Sequence, residues 1–156
     1  MSTTQPSGQA TSEQRHAELL QRVGGLLLDA APADFRRIDV LVRLTVPVQD
    51  LALTVYLPDG STPEVAPPDG LLAAFTELRQ VVNKPGRGTW FSARCVVNAP
   101  ARIDITYNLD HDPRFVPDVP ASVFARDLEV FPRDEAYTPD WLRDRLVEAS
   151  SEEQNA

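Results

Sequence analysis

A chain of 156 residues, 42% hydrophobic and 24% charged, is long enough to close one core, and its single cysteine, Cys95, excludes a disulfide framework and a cysteine-rich zinc site. No apolar run approaches the roughly 18 residues of a membrane span, and the N-terminus MSTTQPSGQATSEQR lacks the basic start and apolar stretch of a secretory signal, so a cytoplasmic location is expected. The net charge of −8 opposes a nucleic-acid backbone or an anionic membrane and favours a basic partner.

Residues 1–12 are small and polar and read as a disordered tail. A helix is expected over about 13–30, because Leu19, Leu20, Val23, Leu26 and Leu27 recur every three or four residues. Gly24 and Gly25 weaken it, and their small size lets a neighbouring element come close. Two strands follow. Ile38, Val40, Val42, Leu44 and Val46 form one face of the first, and Leu51, Leu53, Val55 and Leu57 one face of the second. The short Pro47–Asp50 connection predicts an antiparallel hairpin.

A proline-rich loop over 61–70 leads to a helix at about 69–83, with Leu71, Phe75, Leu78 and Val82 on one stripe. Pro85-Gly86-Arg87-Gly88 breaks the chain. A second hairpin pairs Phe91, Ala93, Cys95 and Val97 with Ile103, Ile105 and Tyr107. Asp112-Pro113, Val116-Pro117 and Val119-Pro120 mark a loop. A short helix then carries Phe124, Leu128 and Phe131 and ends at Pro132. Thr138-Pro139-Asp140 caps a last helix at about 139–149, expected to bury Trp141, Leu142 and Leu146. Residues 150–156 read as a disordered acidic tail. The order α-β-β-α-β-β-α-α over 13–149 predicts one α+β domain: an antiparallel sheet of about four or more strands with helices packed on one face.

The chemistry-bearing residues do not assemble a catalytic set, so no enzyme is expected. His16 reads as exposed on the first helix, far in sequence from His111, and neither a metal ion nor a cofactor is expected. Cys95 shares a face with Phe91 and Val97 and reads as a buried, inert thiol. There is no G-x-S-x-G elbow, no phosphate-binding G-x-x-x-x-G-K-[ST] loop and no G-x-G-x-x-G. Trp90, Trp141, Tyr107, Phe91, Phe124 and Phe131 read as core residues rather than a ligand cage. Charge is uneven: residues 1–100 hold ten acidic and nine basic side chains, residues 101–156 thirteen and six. The C-terminal third is therefore the candidate contact region.

From the second helix onward the chain resembles the YezG-type bacterial immunity proteins. The matching segments are LLAAFTELRQVV, then TWFSARCVV, then RIDITYNLD, and last FARDLEVFPRDEAYTPDWL. The likeness spans about 13–147 and is strongest over about 71–142. It implies an antitoxin that binds and neutralises the C-terminal toxic domain of a cognate secreted toxin, a nuclease or an NAD-consuming enzyme among them. On that reading the contact is expected on the loop after the fourth strand: Asp110, His111, Asp112, Arg114 and Asp118, with Tyr107 or Phe115 as an aromatic anchor. Two alternatives stand beside it. A small metal-dependent phosphoesterase would use Asp104, Asp110, His111 and Asp112 and would bind a divalent cation. A non-catalytic scaffold module would have no toxin partner.

Overall fold

A computed structural model describes residues 11–154. The expected tail over 1–12 lies outside the described residues up to residue 10. Ser12 begins the first helix instead and Thr11 caps it. α1 (Ser12–Ala30) opens with a capping box: the Thr11 hydroxyl accepts the Gln14 N–H, and the Gln14 side chain accepts the Thr11 N–H. Two of the N–H groups that a helix start leaves without partners are thereby satisfied.

The order continues β1 (Arg37–Leu44), β2 (Gln49–Tyr56), α2 (Leu71–Val82), β3 (Ser92–Asn98), β4 (Arg102–Asn108), α3 (Ala121–Val130), a 3₁₀ turn (Glu135–Tyr137) and α4 (Asp140–Gln154). The four strands form one antiparallel sheet in the order β2-β1-β3-β4. This is the expected α+β arrangement.

The strand period of two decides which face is covered. Ile38, Val40, Val42 and Leu44 of β1 are buried, as are Val55, Ala93, Cys95 and Val97 on the same side of the neighbouring strands. Leu19, Val23 and Leu27 of α1 and Leu71, Ala74, Phe75 and Leu78 of α2 close this core. α1 lies over β4: a Cβ added to buried Gly24 would stand 3.5 Å from Ile103, whereas one on Gly25 would meet nothing within 4 Å. The first distance is ordinary van der Waals contact, so neither position needs glycine to make room.

The opposite face of the sheet carries Arg37, Asp39, Leu41 and Arg43, with Arg94, Asn98, Arg102, Asp104 and Thr106 beside them, and most of these are exposed. Its charges alternate in sign along the strands, Arg37 then Asp39 on β1 and Arg102 then Asp104 on β4. Asp39 takes two hydrogen bonds from Arg94, at 2.5 and 3.1 Å, and one from Arg37 at 3.2 Å.

α3 and α4 build a second, smaller core at one end of the sheet, from Phe91, Phe115, Phe124 and Leu142. Here the sequence alternation fails. Phe91 is expected on the main core face with Ala93, yet β3 begins only at Ser92. The Phe91 N–H donates to the Asn108 carbonyl and its own carbonyl accepts the Leu44 N–H. That irregular start sends Trp90 into the main core, stacked on Tyr107 at 5.6 Å, and Phe91 into the second.

The last helix runs on to Gln154, so residues 150–154 are helical rather than part of a tail; residues 155–156 lie outside the described residues. No Gly or Pro follows Pro139 to stop the helix, and Ala149 is still buried near its end. Leu142 is fully buried, while Trp141 and Leu146 are half-buried.

Candidate functional site

The loop between β4 and α3 is held in place by side chains from every neighbour. Asn108 anchors its start: its amide donates to the His111 carbonyl at 2.9 Å and its carbonyl oxygen accepts the His111 N–H at 2.9 Å. Arg43, on the uncovered sheet face, donates from Nε to the Pro113 carbonyl at 2.6 Å. The Trp141 indole N–H donates to the Asp110 carbonyl at 2.8 Å. Asp112 accepts the Arg114 N–H at 2.9 Å, and Arg114 takes a left-handed backbone with φ of 56°. That conformation is uncommon outside glycine and concentrates at functional loops.

The expected contact residues divide in two. Asp110, His111, Arg114 and Asp118 are exposed, and Asp112 is half-exposed. Phe115 is not: at 6% exposure it packs in the second core against Phe124, at a centroid distance of 6.4 Å. Tyr107 points to the helical side of the sheet, where its hydroxyl lies 2.7 Å from His16 Nε2. Neither aromatic stands free to anchor a partner. His16, expected to be exposed, is half-buried by the same contact, because α1 crosses β4 at that point. The apolar side chain that the loop does present is Val116, 84% exposed.

Charge on the loop is partly neutralised. Asp118 pairs with Arg145 of α4 at 2.7 Å, and Asp110 lies 3.6 Å from Arg133. The first pair also joins the loop to α4, whose Asp140, Asp144, Glu148, Glu152 and Glu153 are exposed. Loop and helix are thus joined, and together they carry eight acidic side chains against three arginines, Arg114, Arg143 and Arg145. Asp104 stands apart on the outer face of β4, 3.4 Å from Arg102. Among the described residues no group of three or more His, Cys, Asp or Glu side chains is close enough to hold a metal ion.

Two buried arginines fasten this module to the sheet, and the sequence reading missed both. Arg79 of α2 donates to both oxygens of Asp127 on α3, at 2.5 and 2.6 Å, and from Nε to the Trp90 carbonyl at 2.7 Å. The same carboxylate accepts the Val46 N–H at 2.8 Å. Arg133 lies under the loop and donates to the Thr89 and Leu109 carbonyls at 2.9 and 2.6 Å. Burial lowers its pKa from the usual arginine range, with Asp110 pulling the other way. Gly88 permits its seat: a Cβ there would fall 2.6 Å from Arg133 Nε, and its φ of +77° already disfavours a side chain.

Cys95 is fully buried in β3, and burial pushes its thiol from 9.0 up to about 12. Unfolded chains ionise it near the ordinary value. Its contribution to stability is therefore complete below about pH 9 and is lost as pH rises from there toward 12. Tyr107 shifts in the same direction through burial and adds to the alkaline loss. In native buffer the thiol should not react with a disulfide reagent within hours, and it should react at once in denaturant. Rapid labelling of the native protein would show that the strand opens locally.

The fold and the site define a two-layer α+β protein in which, among the described residues, one sheet face is uncovered and an acidic loop and helix lie at its end. No helix among the described residues is long and apolar enough to cross a membrane. Compared with known proteins, the chain matches no protein-family model and no curated protein.

Proposed function

We propose that this protein is an immunity protein, a non-catalytic antitoxin that binds a cognate secreted toxin domain and neutralises it in the cytoplasm. The likeness to the YezG-type proteins rests on the order and spacing of the quoted segments alone. The observation that carries the reading is the acidic excess of the 110–118 loop and α4, joined by Arg145–Asp118 and Trp141–Asp110. A loop already held by hydrogen bonds from Asn108, Arg43 and Trp141 has less conformational entropy to lose on binding. A concentrated negative surface steers a basic partner, such as a nuclease domain built to bind phosphate, toward fast association.

The contact set is Asp110, His111, Asp112, Arg114 and Asp118, with Val116 in place of an aromatic anchor. The phosphoesterase alternative is not favoured, because its four side chains do not converge on a metal-sized site among the described residues.

The test is calorimetry against the C-terminal domain of the protein encoded immediately upstream. Tight one-to-one binding that abolishes the toxicity of that domain is expected. Asp110→Lys with Asp144→Lys reverses two exposed charges on the proposed surface and should weaken affinity by at least about tenfold, chiefly through slower association. Affinity within threefold of wild type would move the contact elsewhere. No binding at micromolar concentration would remove the reading.

A further inference from the structure

A sheet of this order leaves β4 at one edge and β2 at the other. The β2 edge is flanked by the proline-rich segment, which lines a cleft with Leu51, Leu53 and Thr54, and whose Val65 packs on the main core. Among the described residues no backbone group pairs with the outer side of β4. An edge left open in this way is a template for another strand.

Backbone parity specifies which groups that edge offers. The Leu44 N–H donates to the Phe91 carbonyl in the β1–β3 register, so Ala93, Cys95 and Val97 direct their backbone groups toward β1. Ser92, Arg94, Val96 and Asn98 then face β4, where they pair with Asn108, Thr106, Asp104 and Arg102. The outward backbone groups of β4 are therefore those of Ile103, Ile105 and Tyr107.

A two-fold axis between two antiparallel β4 strands falls either on one of these three residues or on one that faces β3. On Arg102 or Asp104 it would set a charge against its own copy, and on Thr106 it would put Asp104 opposite Asn108 and Arg102 beyond the other copy's strand. With Ile105 on the axis, Arg102 meets Asn108 of the other copy and Asp104 meets Thr106, and no charges pair. With Tyr107 on the axis, Arg102 and Asp104 lie beyond the other copy's strand. With Ile103 on the axis, Arg102 of each copy stands opposite Asp104 of the other, in a non-hydrogen-bonded pair where side chains come closest. Both side chains are well exposed, at 79% and 58%. On the helical face Ile103 would meet its own copy and Ile105 would meet Ala101.

We infer that β4 is a self-pairing edge: two copies of this chain join antiparallel about Ile103 into one continuous sheet, with reciprocal Arg102–Asp104 pairs across the axis. The contact spans residues 101–105 on each side, which places it among weak, concentration-dependent associations. It needs no second protein and does not depend on the proposed function.

Sedimentation velocity between about 1 and 300 µM tests it. Wild type should pass from monomer to dimer in that range. Arg102→Asp sets like charges opposite one another twice and should raise the dimer dissociation constant at least tenfold, as should Asp104→Arg. An equimolar mixture of the two variants should recover dimer, because both facing pairs across the axis then join an aspartate to an arginine. Circular dichroism confirms that both exposed-site variants fold. A wild-type monomer at 300 µM would overturn the inference and leave the edge to a strand of another protein. A dimer indifferent to both variants would overturn it too, by placing the contact on another surface.

Discussion

Replacing Asp127 by Asn should cost roughly 3–5 kcal/mol of folding stability, the typical penalty for leaving one partner of a buried ion pair uncompensated. Asp127 is 1% exposed and its carboxylate serves three donors: both terminal nitrogens of Arg79 and the Val46 N–H. Removing its charge leaves a buried guanidinium without a counter-charge. For a chain of this size each kcal/mol shifts Tm by about 2–4 °C, so a drop of about 6–20 °C is expected. The pair need not contribute much net stability. Arg79→Met combined with Asp127→Leu should recover most of the loss, because apolar residues of similar volume avoid the desolvation cost altogether. Chemical denaturation of the two single variants and the double variant measures both effects. A loss below about 1 kcal/mol in Asp127→Asn would mean that water reaches the pair.

Phe91→Ala should be comparably damaging, at about 3–5 kcal/mol, but for a different reason. Its ring is fully buried and meets four side chains between the C-terminal module and the sheet. The Phe124 and Trp141 rings meet it edge-on at 5.9 and 5.4 Å, and the guanidinium carbons of Arg79 and Arg133 lie 5.6 and 4.9 Å from its centroid. Truncation opens a cavity and removes two cation–π contacts at once. The loss should be local in its dynamics. Amides of α3 and α4 should exchange with solvent much faster in the variant, while those of α1, α2 and β1 keep their protection until global unfolding. Uniformly faster exchange throughout would show that the two cores unfold as one unit.

Periodicity, with the turn residues between segments, located each α-helix and strand. The β1 alternation from Ile38 to Leu44 and the α1 stripe from Leu19 to Leu27 are local patterns, and burial of one face is what they encode. Ends were less legible. The capping box at Thr11 and Gln14 was hidden in a polar stretch that reads as a tail, and α4 outran its apolar stripe because nothing after Pro139 breaks it. The candidate loop was legible as a loop from its prolines and as acidic from its composition. Which of its residues are available was not. Phe115 and Tyr107 look like anchors in sequence and are packing residues in space, whereas Val116 drew no notice.

A signal for the buried ion pair was nonetheless present. Asp127 stands three residues after Phe124 and four before Phe131, on the apolar stripe of its helix, and Arg79 follows Leu78 and lies four residues after Phe75. Opposite charges at core positions of two helices point to a pair, since a lone buried charge is too costly to keep. Nothing local says that these two helices meet.

That division has a physical cause. Amino-acid order determined the element types, the face that each one buries, the inert thiol and the acidic bias of the C-terminal third, because each depends on neighbours within a turn or a strand. Tertiary structure alone decided that Arg79 reaches Asp127 across 48 positions, that Phe91 leaves the strand alternation to fill a second core, and that the loop and α4 are joined. Such contacts depend on how the chain closes long loops, and side-chain identity at the two ends leaves that choice open until the sheet and helices have packed.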